Sequence, residues 1–130
     1  MQQQDRAGRA TIGDVDDQQA RDALTAELDT TRASLQALTA DLHALVAAAT
    51  DSNLDDEHDP EGATIAFERE QLAALRDQAR HQVDEIEKAL GRLAAGRYGT
   101  CESCGGPIGD ERLAARPYVR TCVTCSARAR

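Results

Sequence analysis

A chain of 130 residues with a formal net charge of −8, one Phe, two Tyr and no Trp cannot build a broad globular core. The acidic balance argues against a protein that wraps nucleic acid, which needs cations to neutralise phosphates, and no apolar run approaches the roughly 20 residues of a membrane span. Alanine, leucine and charged residues dominate, which leaves long helices packed on each other and held by a staple.

The charge is unevenly spread. Residues 1–96 carry nine Arg or Lys against twenty Asp or Glu, a net of −11. Residues 97–130 carry six Arg and three acids, a net of +3 before any metal is counted. The basic end is suited to local contact with phosphate, but not to wrapping a duplex.

Taken in chain order, residues 1–15 are polar and aperiodic and read as a disordered N-terminal tail. The opening MQQQDRAGRATIGDVDDQQ has no apolar core of a signal peptide, so the expected location is cytoplasmic, where thiols stay reduced. From residue 16 a period sets in. Leu24, Leu28, Thr31, Leu35, Leu38, Leu42 and Leu45 alternate spacings of four and three, the a/d seam of a coiled coil. Asp16 or Asp17 is placed to cap this helix, which runs to about Ala49 and is about 50 Å long at the usual rise.

The acidic stretch that follows holds Asp51, Asp55, Asp56, Glu57, Asp59 and Glu61, with no Lys or Arg between residues 51 and 61. A second helix then starts at Pro60, with Asp59 as its N-cap and Glu61 in its first turn. Its apolar stripe reads Leu72, Leu75, Ala79, Val83, Ile86, Leu90, Leu93, with one slip of register at 75–79–83. Gly96 ends it in a left-handed conformation.

Two matched stripes joined by a short polar linker predict an antiparallel two-helix coiled-coil hairpin over residues 16–96, with an acidic tip near 51–64. The chain is then expected to be a monomer. A seam alone also suits an intermolecular coiled coil, and the turn chemistry between the stripes favours the hairpin.

The clearest chemical signal is Cys101-Glu-Ser-Cys104, seventeen residues, then Cys122-Val-Thr-Cys125. Two Cys-x-x-Cys pairs at this separation are the arrangement of a zinc ribbon, in which each pair offers two thiolates to one Zn2+ and the two close a tetrahedron. Gly105 permits the tight turn that a metal knuckle needs. A redox reading of Cys-x-x-Cys requires a strand–helix context that is absent here. Four protein ligands leave no open position, so one structural zinc per chain is expected in a small domain at 97–130. The fold class is therefore mainly α: a helical hairpin followed by a four-Cys zinc finger.

The run YGTCESCGGPIGDERLAARPYVRTCVTC, residues 98–125, closely resembles the DksA/TraR zinc-finger family, matching at Ile108, Arg112, Arg116 and Pro117 as well as at the four cysteines. The preceding hairpin has that family's order and proportions. The resemblance implies a bacterial transcription regulator that is not an enzyme. Such a protein binds RNA polymerase directly and inserts its coiled coil into the secondary channel to modulate promoter complexes without recognising a DNA sequence. It implies that Asp59, Asp56 and Glu61 lie at the polymerase-proximal tip, and that Arg112 and Arg116 are candidate partner contacts.

Two departures qualify what is carried over. The family's tip reads Asp-x-x-Asp-x-Ala, whereas this chain has Asp59-Pro60-Glu61-Gly62-Ala63-Thr64, so Gly62 and Thr64 replace the second Asp and the Ala. Nucleotide-responsive relatives place basic groups on the second helix and just after the last cysteine. This chain has Asp84, Glu85 and Ser126 there, which predicts little response to guanosine tetraphosphate. Two other classes fit parts of the pattern: a DNA-binding zinc ribbon, disfavoured by the acidic body, and a coiled-coil interaction adaptor that uses zinc only to fold. No nucleophile–base set suggests an enzyme.

Overall fold

The structure is a computed structural model, and it describes the backbone of residues 2–52 and 60–129, with the side chains of 16–50 and 62–129. Helix α1 spans Gln2–Ser52 and α2 spans Pro60–Ala94. Two short helices follow, α3 at Asp110–Ala115 and α4 at Val123–Arg128. Among the described residues there is no extended strand, only an isolated antiparallel bridge between Thr100 and Pro107. No described helix is long and apolar enough to cross a membrane.

Helix α1 begins well before the expected cap. Its bounds reach back to Gln2, so Asp16 and Asp17 lie inside the helix and not at its cap. Ala, Arg and Gln ahead of Asp16 are good helix formers, and a polar helix carries no apolar period by which to recognise it. The start of α2 at Pro60 is where the sequence places it. Asp55, Asp56, Glu57 and Asp59 lie outside the described residues, as do the side chains of Asp51 and Glu61.

The chain divides into two compact units. The first joins Met1–Leu28 to Asp84–Arg130; the second is Asp29–Val83. In each, a segment of α1 is paired with a segment of α2. The beginning of α1 goes with the end of α2 in one unit, and the end of α1 with the beginning of α2 in the other. That is an antiparallel hairpin. In the first unit Leu24, Leu28, Ile86, Ala89 and Leu93 are buried between the helices, and Cys101 and Ile108 are buried in the segment after α2. Removing a leucine of this kind from water stabilises the folded chain by roughly 1.5–3 kcal/mol.

In the second unit the α1 stripe is as expected, with Thr31 and Leu42 buried and Leu35, Leu38 and Leu45 half-buried. On α2 the register differs. Leu75 is 49% exposed, whereas Arg76 is partly buried and Ala79 is buried. The inward positions of α2 across both units are Leu72, Arg76, Ala79, Val83, Ile86, Leu90 and Leu93, an unbroken alternation of four and three. The apparent slip was Arg76 standing at a seam position that an apolar pattern cannot show.

Candidate metal centre

The finger starts with the way α2 stops. Gly96 has a φ of 75°, which frees the chain to reverse, and the Gly96 amide donates to the Leu93 carbonyl at 3.1 Å. The Arg97 amide donates to the Arg92 carbonyl at 2.8 Å, completing the paired closure of a Schellman cap. The chain thus leaves the helix in a fixed direction and enters the first cysteine loop.

That loop closes on itself. The Cys101 amide donates to the Gly106 carbonyl at 2.8 Å and the Gly105 amide to the Cys101 carbonyl at 2.9 Å. Gly105, at a φ of 76°, takes the left-handed turn that this reversal requires. The Gly106 amide points at the Cys104 sulfur, 3.4 Å away. The second pair is built differently. Cys122 is the extended residue before α4, and Cys125 lies in that helix, whose first turn is closed by the Ser126 amide on the Cys122 carbonyl at 2.9 Å.

These two loops bring all four sulfurs within 4.8 Å of one another, with Cys104 and Cys122 Sγ atoms 3.9 Å apart. A tetrahedron of thiolates at 2.3 Å from one ion has edges of about 3.8 Å. The donor set therefore has the size and shape for a single Zn2+. The protonation of the thiols follows from their neighbours. Amide hydrogen bonds from Cys104, Cys122 and Ser103 stabilise the Cys101 thiolate and bring its pKa down to about 6. Amide and thiol donors at Cys125 lower Cys122. Cys125 itself is pushed up to about 12, because the neighbouring sulfurs disfavour another negative charge. Packed together, the thiols need a dication before all four ionise.

The segment between the pairs is fastened by two of the residues singled out in the sequence and by several that were not. Arg112, on α3, donates from Nε to the Thr121 carbonyl at 2.8 Å, just before the second cysteine pair. Its role in the structure is thus internal. Arg116 is exposed, and its backbone holds the turn: its amide donates to the Arg112 carbonyl at 2.9 Å and its carbonyl accepts from the Val119 amide at 3.1 Å.

The missed residues are ionic. Arg92 is 7% exposed, and its guanidinium lies 3.7 Å from the Glu102 carboxylate, with the Tyr118 and Val119 carbonyls each at 3.4 Å. Arg120 pairs with Glu85 at 3.2 Å and with Glu102 at 3.9 Å. Tyr98 donates its hydroxyl to the Pro117 carbonyl at 2.8 Å, and burial raises its pKa while Arg92 opposes that rise. Glu102 stands between Cys101 and Cys104, so this network ties the first metal loop to α2. Its only sequence signal was Glu85 and Arg92, seven residues apart on one flank of the seam. Glu85, a carboxylate where nucleotide-responsive relatives place a basic group, is buried and paired, while Asp84 pairs with Lys88 at 3.0 Å.

Residues 96–129 match the prokaryotic dksA/traR C4-type zinc finger. The RNA polymerase-binding transcription factors DksA of Salmonella typhimurium and Escherichia coli K12 are each 44% identical over 50 residues, 38% of this chain. General stress protein 16O of Bacillus subtilis is 34% identical over 76 residues, 58% of this chain and 47% of that protein. The structure of transcription factor DksA2 from Pseudomonas aeruginosa superposes with a TM-score of 0.71 at 26% identity, covering 87% of this chain and 81% of that one.

The finger is a C4-type zinc finger of the DksA/TraR kind.

As in a DksA/TraR C4 finger, the four cysteines are positioned to bind one structural Zn2+. The chain matches only about a third (33%) of the length of these DksA relatives, and the family match is confined to residues 96–129. Likeness of the hairpin rests on the DksA2 fold.

Proposed function

We propose that this protein acts in the cytoplasm as a regulator of transcription that binds RNA polymerase and has no catalytic activity of its own. The observation that carries the proposal is the joining of the four-thiol finger to a two-helix hairpin in one fold, shared with a transcription factor over 87% of this chain. Relatives 44% identical over 50 residues are named RNA polymerase-binding transcription factors. In this reading the hairpin enters the polymerase secondary channel, and the acidic stretch holding Asp56, Asp59 and Glu61 approaches the polymerase active centre. Arg116, exposed on the finger, is a candidate contact with the enzyme. Arg112 joins that surface with a side chain already engaged at Thr121. Little response to guanosine tetraphosphate is expected, since Glu85 is paired to Arg120, Asp84 to Lys88, and Ser126 is uncharged.

The test is binding of the zinc-loaded protein to core RNA polymerase and, separately, to promoter DNA, followed by transcription with Asp59→Asn. The proposal expects salt-sensitive binding to the enzyme and no micromolar affinity for naked promoter fragments. Asn caps a helix nearly as well as Asp but carries no charge, so Asp59→Asn should bind normally and lose its effect on transcription. Binding to DNA with none to the polymerase would overturn the proposal in favour of a DNA-binding ribbon.

A further inference from the structure

Beside the finger, within the first unit, the chain forms a cleft of about 750 Å³ that the metal centre does not use. Its walls come from α1 near Asp16 and Asp17 and from the finger at Tyr98, Asp110, Leu113 and Pro117. All three charged residues that line it are carboxylates; no Lys or Arg does. These carboxylate-bearing residues are exposed, whereas Tyr98, Leu113 and Pro117 are half-buried, so the cleft combines an acidic margin with an apolar, aromatic interior.

We propose that this cleft is a docking groove for a basic peptide segment of a partner protein, one that presents Arg or Lys beside an apolar side chain. The chemistry is complementary on both counts. A cationic side chain has an aliphatic stem that packs against apolar surface and a charged head that seeks carboxylates and aromatic faces. Tyr98 supplies the aromatic ring, held in place by its hydroxyl bond to the Pro117 carbonyl. Leu113 and Pro117 receive the apolar neighbour. An acidic peptide or nucleic acid would meet three like charges with no cation in the groove to offset them. The inference does not depend on the polymerase reading, because the groove is defined by its own residues.

The experiment measures binding of a short fluorescent peptide, two arginines flanking a leucine, to the full zinc-loaded chain at low salt. Competitors are the same peptide with glutamates for arginines and with glycine for leucine. The double variant Asp17→Asn with Asp110→Asn should weaken binding about fivefold, as loss of two exposed charges permits. Ala114→Arg, a substitution at an exposed position of the groove, should abolish it. Asp41→Asn with Asp77→Asn, on exposed parts of the helices outside the groove, should leave it unchanged. Helicity of each variant is checked by circular dichroism, and amide shifts in NMR should cluster at residues 98–117 and at the α1 positions of the groove. Three outcomes overturn the proposal: no binding, equal binding of the glutamate or glycine peptide, or equal weakening by the groove and control variants, which would mean diffuse attraction to an acidic molecule.

Discussion

Cys101 and Cys125 enter metal binding from opposite protonation states. With a pKa lowered to about 6, Cys101 is already a thiolate at neutral pH, whereas Cys125, raised to about 12, still holds its proton. Zinc binding must therefore displace protons, Cys125 contributing one at neutral pH. Below about pH 6 Cys101 must give up a proton as well, so affinity should fall more steeply there. A chelator competition from about pH 8 to about pH 5 checks this, and a pH-independent affinity would contradict it. Arg92 makes a different kind of prediction. Its side chain is 8% exposed and meets Glu102 and two carbonyls, so Arg92→Ala leaves buried acceptors without their donor. Unfolding of the zinc-loaded protein in denaturant should show a loss of roughly 2–3 kcal/mol. Arg97→Ala, at an exposed position, should change stability little.

At the scale of elements, the α1 seam was legible because leucine marks six of its seven positions and burial follows the heptad spacing. The α2 seam was legible only in part. An arginine at an inward position looks like surface, and Leu75, one residue away, looked like core. The cysteine loops could be read directly, because metal-ligand spacing is local. The contacts of Arg92, Glu102 and Arg120 could not, since they join residues 10 to 35 positions apart through the fold. Nor were α3 and α4 foreseen, being too short to show a period. Arg76 now offers a test of the corrected register. Its Nε is buried with no hydrogen-bond partner among the described residues, and its guanidinium reaches only the neighbouring Asp77, at 3.4 Å. Arg76→Leu should therefore raise stability by roughly 1–2 kcal/mol in thermal or denaturant unfolding. A loss of stability would show that Leu75 holds the inward position after all.

For the whole molecule, charge and metal act together. Four thiolates and one Zn2+ carry a net −2, which reduces the +3 of residues 97–130 to +1. With −11 on residues 1–96, neither part has the cationic surface of a duplex-binding protein. The acidic stretch between the two long helices is where this sequence departs from the family motif, Gly62 standing in place of the second Asp. A channel-inserting regulator must compete with any other protein that occupies the same channel. The most direct measurement is thus a pull-down of the zinc-loaded chain with core RNA polymerase, titrated with a secondary-channel cleavage factor. The account predicts that the chain is retained by the polymerase and displaced in proportion to the cleavage factor added. Retention that the cleavage factor leaves unchanged, or no retention at all, would contradict it.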